Sequence, residues 1–218
     1  CRAAVEHEQI MEHLRRLDIL SRNAQDSFPV SLADFVVQSR PAEGLQLNWQ
    51  ERAVLEQVRD GPAPLLDIFD RMDGSHLHVQ GINQLEERGL VQRIGLTPTD
   101  LLHAQGKYME WNKEAAFIAT EVLARQLGLS AAELCDRIQE QMIDQLAIEI
   151  MGRLLKDENG PDGTTGWDSY LLKRALDGQD TASPVQCQIA LKDPLVGLGA
   201  PAATFLPRLA EKLNTSYV

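Results

Sequence analysis

Apolar residues recur along this chain at helical intervals far more often than at the alternating intervals of a strand. From Arg2 to about Asn23, the positions Val5, Ile10, Leu14, Leu17 and Leu20 stand between charges. They predict an amphipathic helix whose one apolar stripe must pack on something. Between Phe28 and Val37, the run Phe35-Val36-Val37 reads as a short strand ahead of the turn residues Arg40 to Gly44. From Leu47 to Ile94 the pattern predicts three short helices, Trp49 to Arg59, Pro64 to Met72 and His76 to Glu87, and then a strand, Val91 to Ile94. Gly61 and Pro62 stop the first helix, Asp73-Gly74-Ser75 separates the second from the third, and Gly89 supplies a C-terminal cap. Three helices followed by a strand is the outline of a winged helix-turn-helix.

Helices are predicted next over residues 97–105, 112–127 and 130–156. The last opens on Ser130-Ala131-Ala132-Glu133, a capping box in which hydroxyl and carboxylate each satisfy a free backbone N–H. Its apolar positions Leu134, Ile138, Met142, Leu146, Ile150 and Leu154, joined by Ile143, Ala147, Met151 and Leu155, form a wide stripe that predicts substantial burial. Beyond Lys156 to Pro161, a solvated stop, come a short helix (Trp167 to Leu176), strands at Val185 to Ala190 and Leu195 to Leu198, and a closing helix, Ala200 to Leu213. The expected fold is mainly α with a few short β-strands, an α+β arrangement. Its parts are an N-terminal helix and connector (1–46), a winged-helix-like segment (47–96), and a helical domain ending in a glycine turn and closing helix (97–218).

With 218 residues, 44% of them hydrophobic, the chain can bury one ample core or two small ones. A formal net charge of −11 argues against nucleic acid as partner, because a polyphosphate backbone is held by clustered Lys and Arg. The third helix of the winged-helix outline agrees, setting Glu86 and Glu87 against Arg88, beside Asn83 and Gln84. A small packing or protein-docking segment is the better expectation there. No apolar run reaches the roughly 18 residues of a membrane span, and no signal-peptide pattern opens the chain. Cys1, Cys135 and Cys187 share no metal-type spacing, so a soluble, reduced, cytoplasmic chain is expected.

Two segments could carry chemistry. In Thr97-Pro98-Thr99-Asp100, Thr97 can cap a helix, Pro98 suits its first position, and Asp100 favours its positive end. His103, three residues on, shares a face with Asp100. The pair reads either as a capped helix with a satisfied histidine or as a general acid/base pair or two metal ligands. In Pro194 to Pro201, Gly197 and Gly199 let the backbone approach a ligand, and Ala200-Pro201 opens a helix whose N–H groups favour anions. An ordinary tight strand-to-helix turn explains the same letters. The remaining histidines are less promising: His76 and His78 would point about 200° apart on a helix, and His7 and His13 are expected to be solvated.

The run Gly95-Leu96-Thr97-Pro98-Thr99-Asp100-Leu101-Leu102-His103, followed by Trp111-Asn112-Lys113-Glu114-Ala115-Ala116, resembles two segments of the hydantoinase A / 5-oxoprolinase family, G-L-T-P-T-D-x-x-H and W-[DN]-x-x-A-A. Pro194 to Ala202 resembles that family's late glycine turn. Family members are similar to the actin and sugar-kinase ATPases and use ATP to open cyclic amides and imides, where phosphate transfer to an unreactive carbonyl oxygen makes attack by water feasible. The resemblance implies a nucleotide contact at Gly197, Gly199 and Ala200, draws interest to Asp100 and His103, and implies ATP, with room for a divalent metal, in the full-length protein. The family's phosphate-holding turn, D-x-G-G-T-x-T-D, does not occur, and Asp162-Gly163-Thr164-Thr165-Gly166 follows polar residues where an apolar strand is needed. The expectation is therefore a C-terminal piece whose first partner is the N-terminal part of the same polypeptide, with a second copy of the chain as a further option. The alternative is an interaction or regulatory module built on residues 47–94.

Overall fold

The structure, a computed structural model, describes residues 7–23, 34–71, 77–159, 174–176, 188–199 and 202–218. Among them the chain is mainly helical, with one small antiparallel sheet. The helices are α1 (Glu8–Asn23), α2 (Trp49–Gln57), α3 (Leu65–Arg71), α4 (Leu77–Glu87), α5 (Pro98–Ala104), α6 (Lys113–Gln126), α7 (Ala131–Asn159) and α8 (Ala202–Lys212). The strands are β1 (Phe35–Gln38), β2 (Ala63–Pro64) and β3 (Val91–Ile94). Two compact units divide the chain, 1–135 and 136–218. The division expected at 46 and 96 is not where the structure breaks, because β1 pairs with β2, between α2 and α3, and with β3, after α4, and because α6 packs on both α1 and α5.

In the first unit β1 lies between β2 and β3, antiparallel to each. Phe35 is opposite Pro64 and Ile94, and Val36 opposite Ala63 and Arg93. Because successive strand residues face opposite sides of a sheet, these two side chains enter different cores. Val36 joins Val54, Val58, Leu65, Ile68, Ile82, Leu85, Leu90 and Val91, the core under α2, α3 and α4. Phe35 joins Ile10, Met11, Leu14, Ala115 and Ala119, where α1 meets α6. Ile94, three residues beyond Val91 and so on the other face, packs with the second group. The winged-helix outline is thus present with its middle strand supplied from upstream of the helices. No hairpin follows β3, since the chain runs from Ile94 through three residues into α5.

Helix starts are chemically explicit. Asn48 and Glu51 form a capping box at α2, Thr97 and Asp100 another at α5, and the expected Ser130–Glu133 box is made at α7, with Ser130 N–H donating to the Glu133 carboxylate at 2.9 Å. Glu51 also receives Arg88 at 2.7 Å, which ties the start of α2 to the end of α4. Burial pushes the Glu51 carboxyl up, but the Asn48 N–H and the Arg88 guanidinium outweigh it and hold it below the usual range.

The second unit gathers Ile143, Ala147, Leu176, Leu209 and Leu213 into a core between α7 and α8. Arg208 and Lys212 of α8 pair with Glu140 and Asp144 of α7. The wide α7 stripe is less covered than its pattern predicts: Leu134, Ile143 and Ala147 are buried, whereas Leu146 and Leu154 are exposed. Leu195 to Leu198 makes one isolated parallel bridge, Leu195 to Tyr217, in place of a strand, because it meets only the short Ser216–Val218 end. Residues 188–190 are not strand, α8 starts at Ala202, and 174–176 are helical. The rest of the Trp167 helix, residues 185–187, Asp162 to Gly166, Ala200, His76, Cys1 and Cys187 lie outside the described residues.

Since Phe35 and Val36 are neighbours on one strand, the two cores of the first unit should melt together. Phe35→Ala and Ile68→Ala are each expected to cost about 2–5 kcal/mol and to shift a single urea transition. Two separate transitions, each moved by only one of the variants, would show that the cores are independent.

Candidate functional site

The motif from Gly95 to Ala116 builds a helix, a turn and a second helix, and Thr97, Asp100, His103 and Asn112 find hydrogen-bond partners within it. Gly95 follows β3, and a Cβ built there would meet the Asp34 carboxylate oxygen at 2.5 Å, so any larger residue would displace the Asp34 side chain. Burial raises the Asp34 carboxyl above its usual range, against the opposing attraction of Arg93. Thr97 N–H and Oγ1–H both donate to Asp100 Oδ2, at 2.7 and 2.8 Å, while Asp100 N–H donates back to Thr97 Oγ1 at 3.4 Å. Asp100 is 3% exposed, and that oxygen is engaged by the helix cap.

His103 is fully buried. Its Nδ1 lies 2.7 Å from the Thr99 carbonyl oxygen, which only accepts, so Nδ1 carries the proton. Nε2 is then the acceptor, and it receives the Trp111 backbone N–H at 3.2 Å. The ring is therefore neutral with both nitrogens engaged. Trp111 stacks on it with centroids 5.4 Å apart and 8° between planes, and Tyr108 meets it edge-on at 4.8 Å. His103 thus fastens residues 108–111 to α5. Asn112 then caps α6 by accepting the Ala115 N–H at 2.9 Å. Ala115 and Ala119, one turn apart, let α6 approach α1 closely, and Thr120 Oγ1–H donates to the Ala116 carbonyl at 2.7 Å.

This geometry bears on the two readings of Asp100 and His103. A general base needs a lone pair that substrate can reach, and a metal ligand needs one free to coordinate. His103 offers neither nitrogen without releasing Thr99 or Trp111, so the pair does not fit a metal. Among the described residues, no group of three or more His, Cys, Asp or Glu side chains could hold a metal ion.

At the glycine turn, the Gly197 N–H donates to the Val218 carbonyl at 3.2 Å, and a Cβ built on Gly197 would meet Leu206 Cδ1 at 2.1 Å. Packing against α8 accounts for this glycine, and its N–H is spent on the chain itself. Gly199, with φ +100° and nothing within 4 Å of a built Cβ, keeps the backbone freedom that the resemblance asks for. Its carbonyl accepts the Ala202 N–H at 3.1 Å.

The sequence expectations miss two features of the first unit. His13, expected in solvent, is 9% exposed and sits edge-on against Phe35 at 5.2 Å. The signal was its spacing, three residues after Ile10 and four before Leu17 on the buried stripe of α1. Beside it, Gln9, Glu12, Arg16, Pro62, Pro64 and Asp67 line a shallow groove of about 230 Å³. On α4, Asn83 and Glu86 are engaged by Arg93, and Gln84 accepts from Asn48 at 3.0 Å, so the side chains a DNA reader would extend are held within the unit. No family model, curated protein or solved structure matches this chain.

Replacing His103 by Phe keeps the aromatic packing but removes the acceptor of the Trp111 N–H and one donor to the Thr99 carbonyl, so a loss of about 1–3 kcal/mol is expected. Asp100→Asn, which retains an acceptor at the cap, should cost no more than about 1 kcal/mol. Chemical denaturation of the two variants decides this, and an unchanged midpoint for His103→Phe would contradict the bonding described.

Asp34 generates a pH dependence. Its raised folded value means the native state holds the proton more tightly, so its contribution to stability falls as pH rises from the ordinary carboxylate range through the raised value. Asp34→Asn is expected to melt higher than the parent at pH 7, with the gap closing below about pH 4. A gap that widens on acidification would reverse the assignment.

Proposed function

We propose that this chain forms the helical part of an ATP-dependent cyclic amide or imide hydrolase similar to hydantoinase and 5-oxoprolinase, and that it is inactive alone. The resemblance of Gly95 to Ala116 and of Pro194 to Ala202 carries the activity. The structural observation that supports it best is that the first segment forms one self-satisfied scaffold. Thr97, Asp100, His103 and Asn112 each hold a neighbouring part of the helix-turn-helix in place, and Ala115 packs it on α1 and β1. In this reading Asp100 and His103 position the fold and do not touch substrate. The phosphate-holding turn, and any divalent metal, would come from the preceding part of the same polypeptide. Of this chain's own residues, Gly199 is the one whose open backbone suits a nucleotide edge. A cytoplasmic location accords with ATP as cofactor, and no helix among the described residues is long and apolar enough to cross a membrane.

A protein-docking role for the three-helix segment is the second reading, favoured by Leu45 and Trp49, large apolar side chains left exposed before and at the start of α2. Substitution of Trp49 by Ala separates the two, since docking alone makes it disrupt partner capture while ATP-dependent turnover by the longer polypeptide stays intact.

The purified chain should show no ATP hydrolysis and no opening of hydantoin or 5-oxoproline, because phosphoryl transfer needs positioned phosphate donors and a metal. The longer polypeptide, carrying an upstream D-x-G-G-T turn, should show both, and lose most of its turnover in Gly199→Asp while keeping most of it in Asp100→Asn. Robust turnover by the isolated chain, abolished by Gly199→Asp, would refute the proposal. So would a longer polypeptide indifferent to Gly199→Asp.

A further inference from the structure

We draw no further inference here: the strongest candidate, the exposed apolar ribbon where Val196 and Leu198 run beside Tyr217 and Val218 in the second unit, carries nothing because no feature of the structure shows what covers it.

Discussion

The first unit depends on one short strand being buried on both faces. Phe35 and Val36 are adjacent, and the pleat sends one into the α1/α6 core and the other into the core of α2, α3 and α4. Removing β1 would leave β2 and β3 without their common partner, since each is bonded only through it. Even its flanking backbone is used: the Asp34 carbonyl accepts the Leu65 N–H at 2.9 Å where β2 passes into α3, and Ser39 N–H donates to Leu90 at 2.9 Å just before β3. The strand is four residues long, yet it sets the register of everything packed against it.

Around that strand, orientation is fixed by charge held close to backbone ends. Carboxylates at Glu51, Asp100 and Glu133 all stand at the third position of a helix, where free N–H groups and the helix dipole favour them. Glu51 combines this with the Arg88 pair. Asp18 works across elements: desolvation raises its carboxyl, but Arg22 and Arg125 together hold it down, and Arg125 brings α6 onto α1. Asp34 is the counterexample, a carboxylate whose burial is not matched by its single opposing arginine. Acidification therefore weakens Glu51 and Asp18 while relieving Asp34, so the unit's acid response is a sum of opposed contributions.

The residues that look most chemical in the chain are also among those most fully used by the fold. His103 is the clearest case, because a buried imidazole with a carbonyl on one nitrogen and an N–H on the other has a defined tautomer and no vacancy. The glycine turn divides in the same way, with Gly197 taken by Leu206 and Val218 and Gly199 left open.

Local rules were enough to read the mainly helical class and most of the described helices from the sequence, though Pro64, expected to open α3, lies in β2. Apolar spacing and caps act over three or four residues, and Asn48, Thr97, Asn112 and Ser130 do at each helix start what their side chains allow. Long-range pairing was beyond such rules. Nothing within Phe35–Gln38 says that it will lie between Ala63–Pro64 and Val91–Ile94, because strand order is decided by which buried faces can be covered at once. The same holds for Gly95, which lies against the Asp34 carboxylate from sixty-one positions earlier, whereas the burial of His13 was legible in its place on the α1 stripe. Asp100 and His103 could be named from sequence as a candidate pair, but their protonation and partners are set by Trp111 folding back over α5. Helices close their hydrogen bonds locally and so are legible locally, whereas sheets, buried rings and sites are completed by residues distant in the chain.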